Sequence, residues 1–190
     1  YDKFWNCKKR YRVLKGGKGS KKSATTALNF IFRLMQQKDT NLLVVRQIMN
    51  THRDSTFAQL KWAQERLGVS DLWNNTVSPM EMVYKLASTT VSKGYLNFVW
   101  IEEAFEISNE SDFEKLDLSV PRGKIPPPLY KQTTITFNPW SEGHWLKKRF
   151  FDTKYQDVET FSTNYLINEF LDETDRLVFE RMKKQNPRKY

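Results

Sequence analysis

The chain holds a single cysteine, Cys7, and only two histidines, His52 and His144. One thiol excludes an internal disulfide and fits a reducing compartment. No Cys or His cluster surrounds the two histidines, so a zinc site has no ligand set. No apolar run approaches the length of a bilayer span, and no secretory signal pattern opens the chain. No internal repeat recurs along it. What is present is a chain of 190 residues with 39% hydrophobic and 14% aromatic content. That composition suits one folded domain, or one with an appendage, and a sizeable core.

Negative charge is in short supply. Lys and Arg number 31 against 22 Asp and Glu, for a net charge of +9. Such a surplus either aids solubility or favours a polyphosphate partner, in a nucleotide or a nucleic acid. Its placement says more. Lys8, Lys9, Arg10, Arg12, Lys15, Lys18, Lys21 and Lys22 crowd toward one Gly-rich segment. Lys147, Lys148 and Arg149 form a second cluster, and Arg181, Lys183, Lys184, Arg188 and Lys189 a third.

The spacing of apolar residues predicts strands at Tyr11–Lys15, Leu42–Val45, Tyr95–Ile101, Thr133–Phe137 and Val158–Thr163, with a further candidate at Leu72–Val77. Helical spacing covers Ser23–Gln37, Thr56–Leu67, Trp145–Phe151 and Asp172–Lys184. Ile107–Pro128 is polar and ends in an extended Pro126-Pro127-Pro128 loop. The stretch from Tyr84 to Ser92 has no clear period. Strands alternating with helices imply an α/β fold, with a mostly parallel central sheet and helices on both faces.

The Gly-rich segment is Val13-Leu14-Lys15-Gly16-Gly17-Lys18-Gly19-Ser20-Lys21-Lys22-Ser23. A strand runs into a glycine turn that ends in Lys-Ser and opens a helix, the order of a phosphate-binding P-loop. Gly16, Gly17, Gly19, Ser20, Lys21, Lys22 and Ser23 would wrap backbone N–H groups around a phosphate, with Lys22 on the β/γ-phosphates and Ser23 on Mg²⁺. Gly16, Lys22 and Ser23 fit the usual pattern G-x-x-x-x-G-K-[ST], whereas Lys21 stands where its second glycine belongs. Alone, the segment reads equally well as a basic surface turn.

A second motif, Phe98-Val99-Trp100-Ile101-Glu102-Glu103, buries a strand and delivers two acids to its C-terminal edge, where open α/β sheets bind ligands. Neighbouring strand side chains point to opposite sides. Glu102 therefore suits the Mg²⁺ held by Ser23, and Glu103 the water that attacks a γ-phosphate. Alone, the pair also reads as an acidic helix start. In the third motif, Thr134-Ile135-Thr136-Phe137-Asn138-Pro139, either Thr136 or Asn138 would touch the γ-phosphate or the attacking water. A strand end turned by Asn-Pro is the plainer alternative. Phe4, Trp5 and Tyr11 either stack on adenine or pack in the core.

These motifs, followed by Thr163-Asn164-Tyr165-Leu166 and Asn168-Glu169-Phe170-Leu171-Asp172, resemble in order the N-terminal ATPase domain of the large terminase subunit of tailed bacteriophages. The resemblance covers nearly the whole chain. It implies a P-loop NTPase of the additional-strand class that hydrolyses ATP with Mg²⁺ and drives double-stranded viral DNA into a procapsid. It implies a portal protein and a small terminase subunit as partners, and a homo-oligomeric ring on the procapsid from an isolated domain that is monomeric. No membrane is involved; the setting is the host bacterial cytoplasm. By the same resemblance Lys22 and Ser23 hold phosphate and Mg²⁺, Glu102 is the metal-side acid and Glu103 the catalytic one. Thr136 and Asn138 fall on a coupling motif. Lys18 stands where the family usually carries a P-loop arginine, and offers its charge without the forked geometry. The cluster Lys147, Lys148 and Arg149 is the candidate DNA contact. The chain opens at Tyr1 and reads as a piece of a longer protein, residues 1–190 being the motor domain. The family's C-terminal nuclease domain is expected outside it, so no DNA cleavage is expected from these residues. Competing readings are a P-loop kinase, another nucleic-acid-dependent or helicase-like ATPase, and a non-catalytic DNA-binding module.

Overall fold

The computed structural model describes residues 1–37, 39–48, 52–87, 95–120, 124–139, 141–168 and 171–185. Residues 88–92 of the stretch without a clear period lie outside them, as do Trp140, Glu169, Phe170, Arg188 and Lys189. Among the described residues no helix is long and apolar enough to cross a membrane.

Five strands form the central sheet: β1 (Tyr11–Gly16), β2 (Thr40–Val45), β5 (Tyr95–Ile101), β6 (Gln132–Phe137) and β7 (Val158–Thr163). Their order is β2-β5-β6-β1-β7, and every pairing is parallel. β6 thus lies between the Gly-rich strand and the acid-bearing strand, as the additional-strand class requires. The candidate strand at Leu72–Val77 does not join this sheet. It is β3 (Trp73–Val77), paired antiparallel with β4 (Met80–Tyr84) in a separate hairpin. Only Trp73 of β3 is buried, which is why its polar remainder stays at the surface.

Alternation along β5 sorts the core into two layers. Phe98 and Trp100 pack with Ala27, Phe30 and Ile31 of α2 (Lys22–Gln36), Leu60 and Ala63 of α3 (Ala58–Arg66), and Trp73. Val99 and Ile101 face the other way, with Val13, Ile135, Phe137, Phe113, Leu146 and Phe150. Phe113 belongs to α4 (Glu110–Ser119), a helix inside the polar stretch from Ile107. It is the one buried residue of that helix, too little periodicity to show in sequence. Leu146 lies on α5 (Trp145–Lys147), which runs into a π-helical turn, Lys148–Asp152, that carries Phe150. Burying each large apolar side chain contributes about 1.5–3 kcal/mol.

The short N-terminal helix α1 (Asp2–Asn6) is held by two buried arginines. Arg12 donates to Phe4 O, Asn29 Oδ1 and Thr134 Oγ1 and lies 4.1 Å from the Phe4 ring centre. Arg33 donates to Trp5 O, Cys7 O and Gln132 Oε1. Hydrogen bonds to a charged group contribute about 1.5–3 kcal/mol each, and here they satisfy carbonyls at a helix end. The basic crowd around the Gly-rich segment is therefore thinner than the sequence implies. Arg12 is core, Arg10 pairs with Asp117 at 2.8 Å, and Lys9 pairs with Glu159 at 2.8 Å. The last helix, α6 (Glu173–Gln185), sets Phe179 against the Gly-rich loop.

Candidate active site

Parallel register brings the functional segments to one edge of the sheet. Val45 of β2 aligns with Ile101 of β5, Ile101 with Ile135 of β6, and Ile135 with Val13 of β1. The residues that follow these strand ends, Arg46, Glu102, Glu103, Asn138 and the loop after Gly16, therefore meet at the carboxyl edge, where ligands bind in open α/β sheets.

The loop between β1 and α2 is fixed by close packing. A Cβ on Gly16 would lie 2.5 Å from Thr163 Cγ2, and Gly19, at φ +76, lies against the Phe179 ring. Ser20 Oγ donates to Gly17 O at 2.7 Å, and Asn168 Nδ2 donates to Gly19 O at 2.7 Å. Lys21 has φ 61 and ψ 14, in the left-handed region. That explains the glycine usual at its position, since only glycine enters this region without cost. The loop then opens α2, a helix of 15 residues whose first N–H groups and dipole favour an anion.

Lys22 is buried, and its Nζ donates to Gly17 O at 3.0 Å and to Asn138 Oδ1 at 2.8 Å. Burial lowers its pKa to about 8, against the opposing pull of Glu103 and Glu102. Asn138 passes the contact on: its Nδ2 donates to Glu103 Oε1 at 3.0 Å and Oε2 at 3.3 Å. Glu103 has φ 50, a second left-handed non-glycine residue in the same site. Burial raises its pKa, while Lys22 and Arg46 pull it down. Backbone strain of this kind gathers at functional sites.

The neighbouring acid turns elsewhere. Ser23 Oγ donates to Glu102 Oε1 at 3.1 Å. Arg46 lies 3.4 Å from Glu102 Oε2 and 2.9 Å from Glu106 Oε1. Burial first, and then Glu103, raise the Glu102 pKa. Glu102 Oε2 is buried and accepts no hydrogen bond; the Arg46 guanidinium faces it at 3.4 Å, a contact that a hard cation or its water would replace. Among the described residues no group of three or more His, Cys, Asp or Glu could hold a metal alone. One carboxylate and one hydroxyl beside a phosphate site fit Mg²⁺, which binds through few protein ligands and keeps phosphate and water as the others.

One cavity of about 570 Å³ joins these parts, with Lys18, Lys21, Lys22, Ser23, Glu103 and Asn138 in its wall. The structure separates Thr136 from Asn138. Thr136 is buried in the sheet, where its Oγ1 accepts from Trp100 Nε1 at 2.9 Å, whereas Asn138 faces the cavity. Lys147, Lys148 and Arg149 lie away from it. Lys147 pairs with Asp152 at 2.7 Å. Arg149 bridges Glu110 and Glu114 at 2.8 and 3.0 Å, and its guanidinium lies 5.0 Å from the Phe113 ring centre. Two of the three cations are thus matched by the chain's own acids, and Lys148 is exposed.

Sequence reading missed Arg46, Asn168 and the α3 residues Gln59, Trp62 and Arg66, the last four of which complete the wall. Arg46 follows a predicted strand directly, and that adjacency was the available signal. Phe4, Trp5 and Tyr11 prove to be packing residues. Phe4 lies in the core beside Phe161, Trp5 against Phe32, and Tyr11 between Phe113 and Phe150.

Comparison with known proteins agrees with the geometry. The family model described as phage terminase large subunit matches residues 8–190. The chain is 31% identical over 196 residues to the large terminase subunit of Bacillus phage SPP1, an alignment that covers 94% of this chain and 46% of that protein. It is 32% identical over 162 residues to the PBSX phage terminase large subunit of Bacillus subtilis (strain 168), covering 79% of this chain and 36% of that one. In fold it is similar to the large terminase of a thermophilic bacteriophage. The TM-score is 0.69 at 12% identity, over 92% of this chain and 45% of that one. A second structure of that thermophilic phage's terminase, in complex with ADP, gives a TM-score of 0.63 at 13% identity, over 94% and 47%. The chain spans less than half the length of each of these relatives.

Proposed function

The chain belongs to the phage terminase large-subunit family, and from that premise we propose that it is the Mg²⁺-dependent ATPase part of a motor that moves double-stranded DNA into a procapsid. The observation that carries the reading is one cavity lined by the phosphate loop, Ser23 and the Lys22–Asn138–Glu103 chain, with Glu102 bonded to Ser23 behind its wall. A large terminase of the same fold solved with ADP supports a nucleotide as the ligand.

The backbone N–H groups of Gly17 to Lys21 and the first turn of α2 hold the β-phosphate. Lys22 turns its ammonium from Asn138 Oδ1 to the β- and γ-phosphate oxygens, and Lys18 adds positive charge at the exposed rim. Ser23 and Glu102 would hold Mg²⁺, which would offset the negative charge of the phosphates. Glu103 takes the proton from a water whose oxygen bonds to the γ-phosphorus as the bond to the ADP oxygen breaks. Burial makes Glu103 a stronger base than a solvated glutamate. Asn138 keeps the Glu103 carboxylate aimed and regains the Lys22 ammonium when the γ-phosphate departs, which links the state of the phosphate to the base.

On this reading its partners are a portal protein, a small terminase subunit and further copies of the chain in a ring on the procapsid, and its setting is the host bacterial cytoplasm. The isolated domain is a weak monomeric ATPase, because a cation supplied by a neighbouring subunit is worth about 10³–10⁵ in rate in P-loop enzymes. The test is phosphate release from ATP by the 190-residue chain, with and without Mg²⁺ and duplex DNA. Hydrolysis that needs Mg²⁺ and vanishes in Lys22→Ala supports the reading. Near wild-type turnover in Lys22→Ala refutes it.

A further inference from the structure

We propose that α3 supplies the nucleoside half of the site, with the indole of Trp62 as the platform on which the nucleotide base stacks. The proposal rests on the cavity being the nucleotide site and adds what the P-loop motifs leave open: how the non-phosphate end of the ligand is held.

Gln59, Trp62 and Arg66 line the same cavity as Lys22, Ser23 and Glu103. They are spaced i, i+3 and i+7 on α3, so they share one helical face. The adjoining face carries Leu60 and Ala63 into the core. α3 packs against α2, so this face rises beside the first turn of α2, where Ala24 also lines the cavity. Glu103 and Asn138 mark the end for the terminal phosphate. The wall formed by α3 is where the remainder of a nucleotide finds apolar surface.

Trp62 is half-buried. Part of it packs against the Ala27–Phe30 layer of the core, and part lines the cavity. It is the one aromatic side chain in that wall among the described residues. An indole makes no ion pair with phosphate, but its flat face suits a flat base, and small-molecule sites combine such surfaces with a few placed polar groups. The volume of about 570 Å³ is that of a site for a whole nucleotide rather than for a phosphate alone. The other aromatics near the loop are already engaged: Phe179 with Gly19 and Tyr165, Tyr1 with Ser20 O and Phe4, Phe4 with Phe161 and Arg12, and Trp5 with Phe32.

The experiment compares a non-hydrolysable ATP analogue with inorganic tripolyphosphate, using the wild-type chain, Trp62→Leu and Trp62→Phe. Base stacking removed by substitution lowers affinity by about 5- to 150-fold. Trp62→Leu should weaken the analogue within that range and leave tripolyphosphate affinity unchanged. Trp62→Phe should keep most of the affinity for the analogue while losing the quenching of indole fluorescence that the analogue causes in the wild type. Equal weakening of both ligands in Trp62→Leu, undiminished binding of the analogue, or undiminished quenching in Trp62→Phe each overturn the proposal. Should Trp62→Leu fail to fold, Trp62→Phe and its quenching decide the matter. Failure of tripolyphosphate to bind the wild type overturns the phosphate-site reading instead, and this proposal with it.

Discussion

Replacing Asn138 separates orientation of the base from binding of the phosphates. Its amide receives Lys22 Nζ at 2.8 Å and donates to Glu103 at 3.0 Å. Glu103 leaves the sheet at φ 50, so its carboxylate is aimed by that amide rather than by a relaxed backbone. A net hydrogen bond to a charged group is worth about 1.5–3 kcal/mol, which corresponds to roughly 10- to 150-fold in rate if the bond persists in the transition state. Asn138→Ala should lower kcat within that range. KM for ATP should stay near wild type, because Lys22 keeps its ammonium and loses only a competitor for it. Asn138→Asp keeps the shape but sets a carboxylate oxygen against Glu103. Like charges at that distance favour protonation of one of the pair, so the acid limb of kcat/KM should move to higher pH. Steady-state hydrolysis of MgATP followed across pH, with single-turnover measurements to isolate chemistry, gives both quantities. Wild-type kcat in Asn138→Ala, or an acid limb that stays put in Asn138→Asp, refutes the Lys22–Asn138–Glu103 chain as a working unit.

The wild-type pH profile should be a bell in kcat/KM. Glu103 must be deprotonated, and its raised pKa places the acid limb above the usual glutamate range; Lys22 must be protonated, so activity falls as pH rises past about 8. The alkaline limb of kcat should lie higher, because bound phosphates favour the ammonium; identical alkaline limbs would contradict this. Lys21→Gly should stabilise the fold by about 1 kcal/mol, since left-handed strain of about 1–3 kcal/mol is relieved against about 0.5–1 kcal/mol of added chain freedom. A thermal melt should rise by about 2–4 °C, and a fall would refute the strain argument. Arg149→Ala should destabilise by about 1–2 kcal/mol in denaturant, because it frees Glu110 and Glu114 and uncovers Phe113. It should also leave the salt dependence of DNA binding unchanged; a shallower slope would restore Arg149 as a phosphate contact.

The central strands were legible because parallel strands buried on both faces read as apolar runs, as Tyr95–Ile101 does residue for residue. Val158–Thr163 matches its expected range as well, although it is a partly exposed edge strand. Helix α4 was not legible, since Phe113 alone is buried and most of the rest is polar or charged. The hairpin was half seen, because β-propensity at Trp73–Val77 says nothing of which sheet a strand joins. In the site, the contiguous stretches gave Lys22, Ser23, Glu102, Glu103 and Asn138. Choosing Asn138 over Thr136 needed the pleat and the bond from Trp100. Arg46 and Trp62 reach the site from elements that no local pattern links to it, and Asn168, though part of a motif, gave no sign in sequence of its bond to Gly19 O. The basic clusters misled in the other direction: charge is visible in sequence, but its neutralisation by Asp117, Asp152, Glu110, Glu114 and Glu159 is not.

The role of Glu103 as the base for ATP hydrolysis is tested most directly by the rate of phosphate release from Glu103→Gln at saturating MgATP, taken together with its affinity for the nucleotide. The swap removes the base and keeps an amide that can still bond Asn138. Removing a general base costs about 10²–10⁴ in rate. Glu103→Gln should keep nucleotide affinity close to wild type and turn over at least about a hundredfold more slowly. Undiminished turnover in Glu103→Gln would contradict that role.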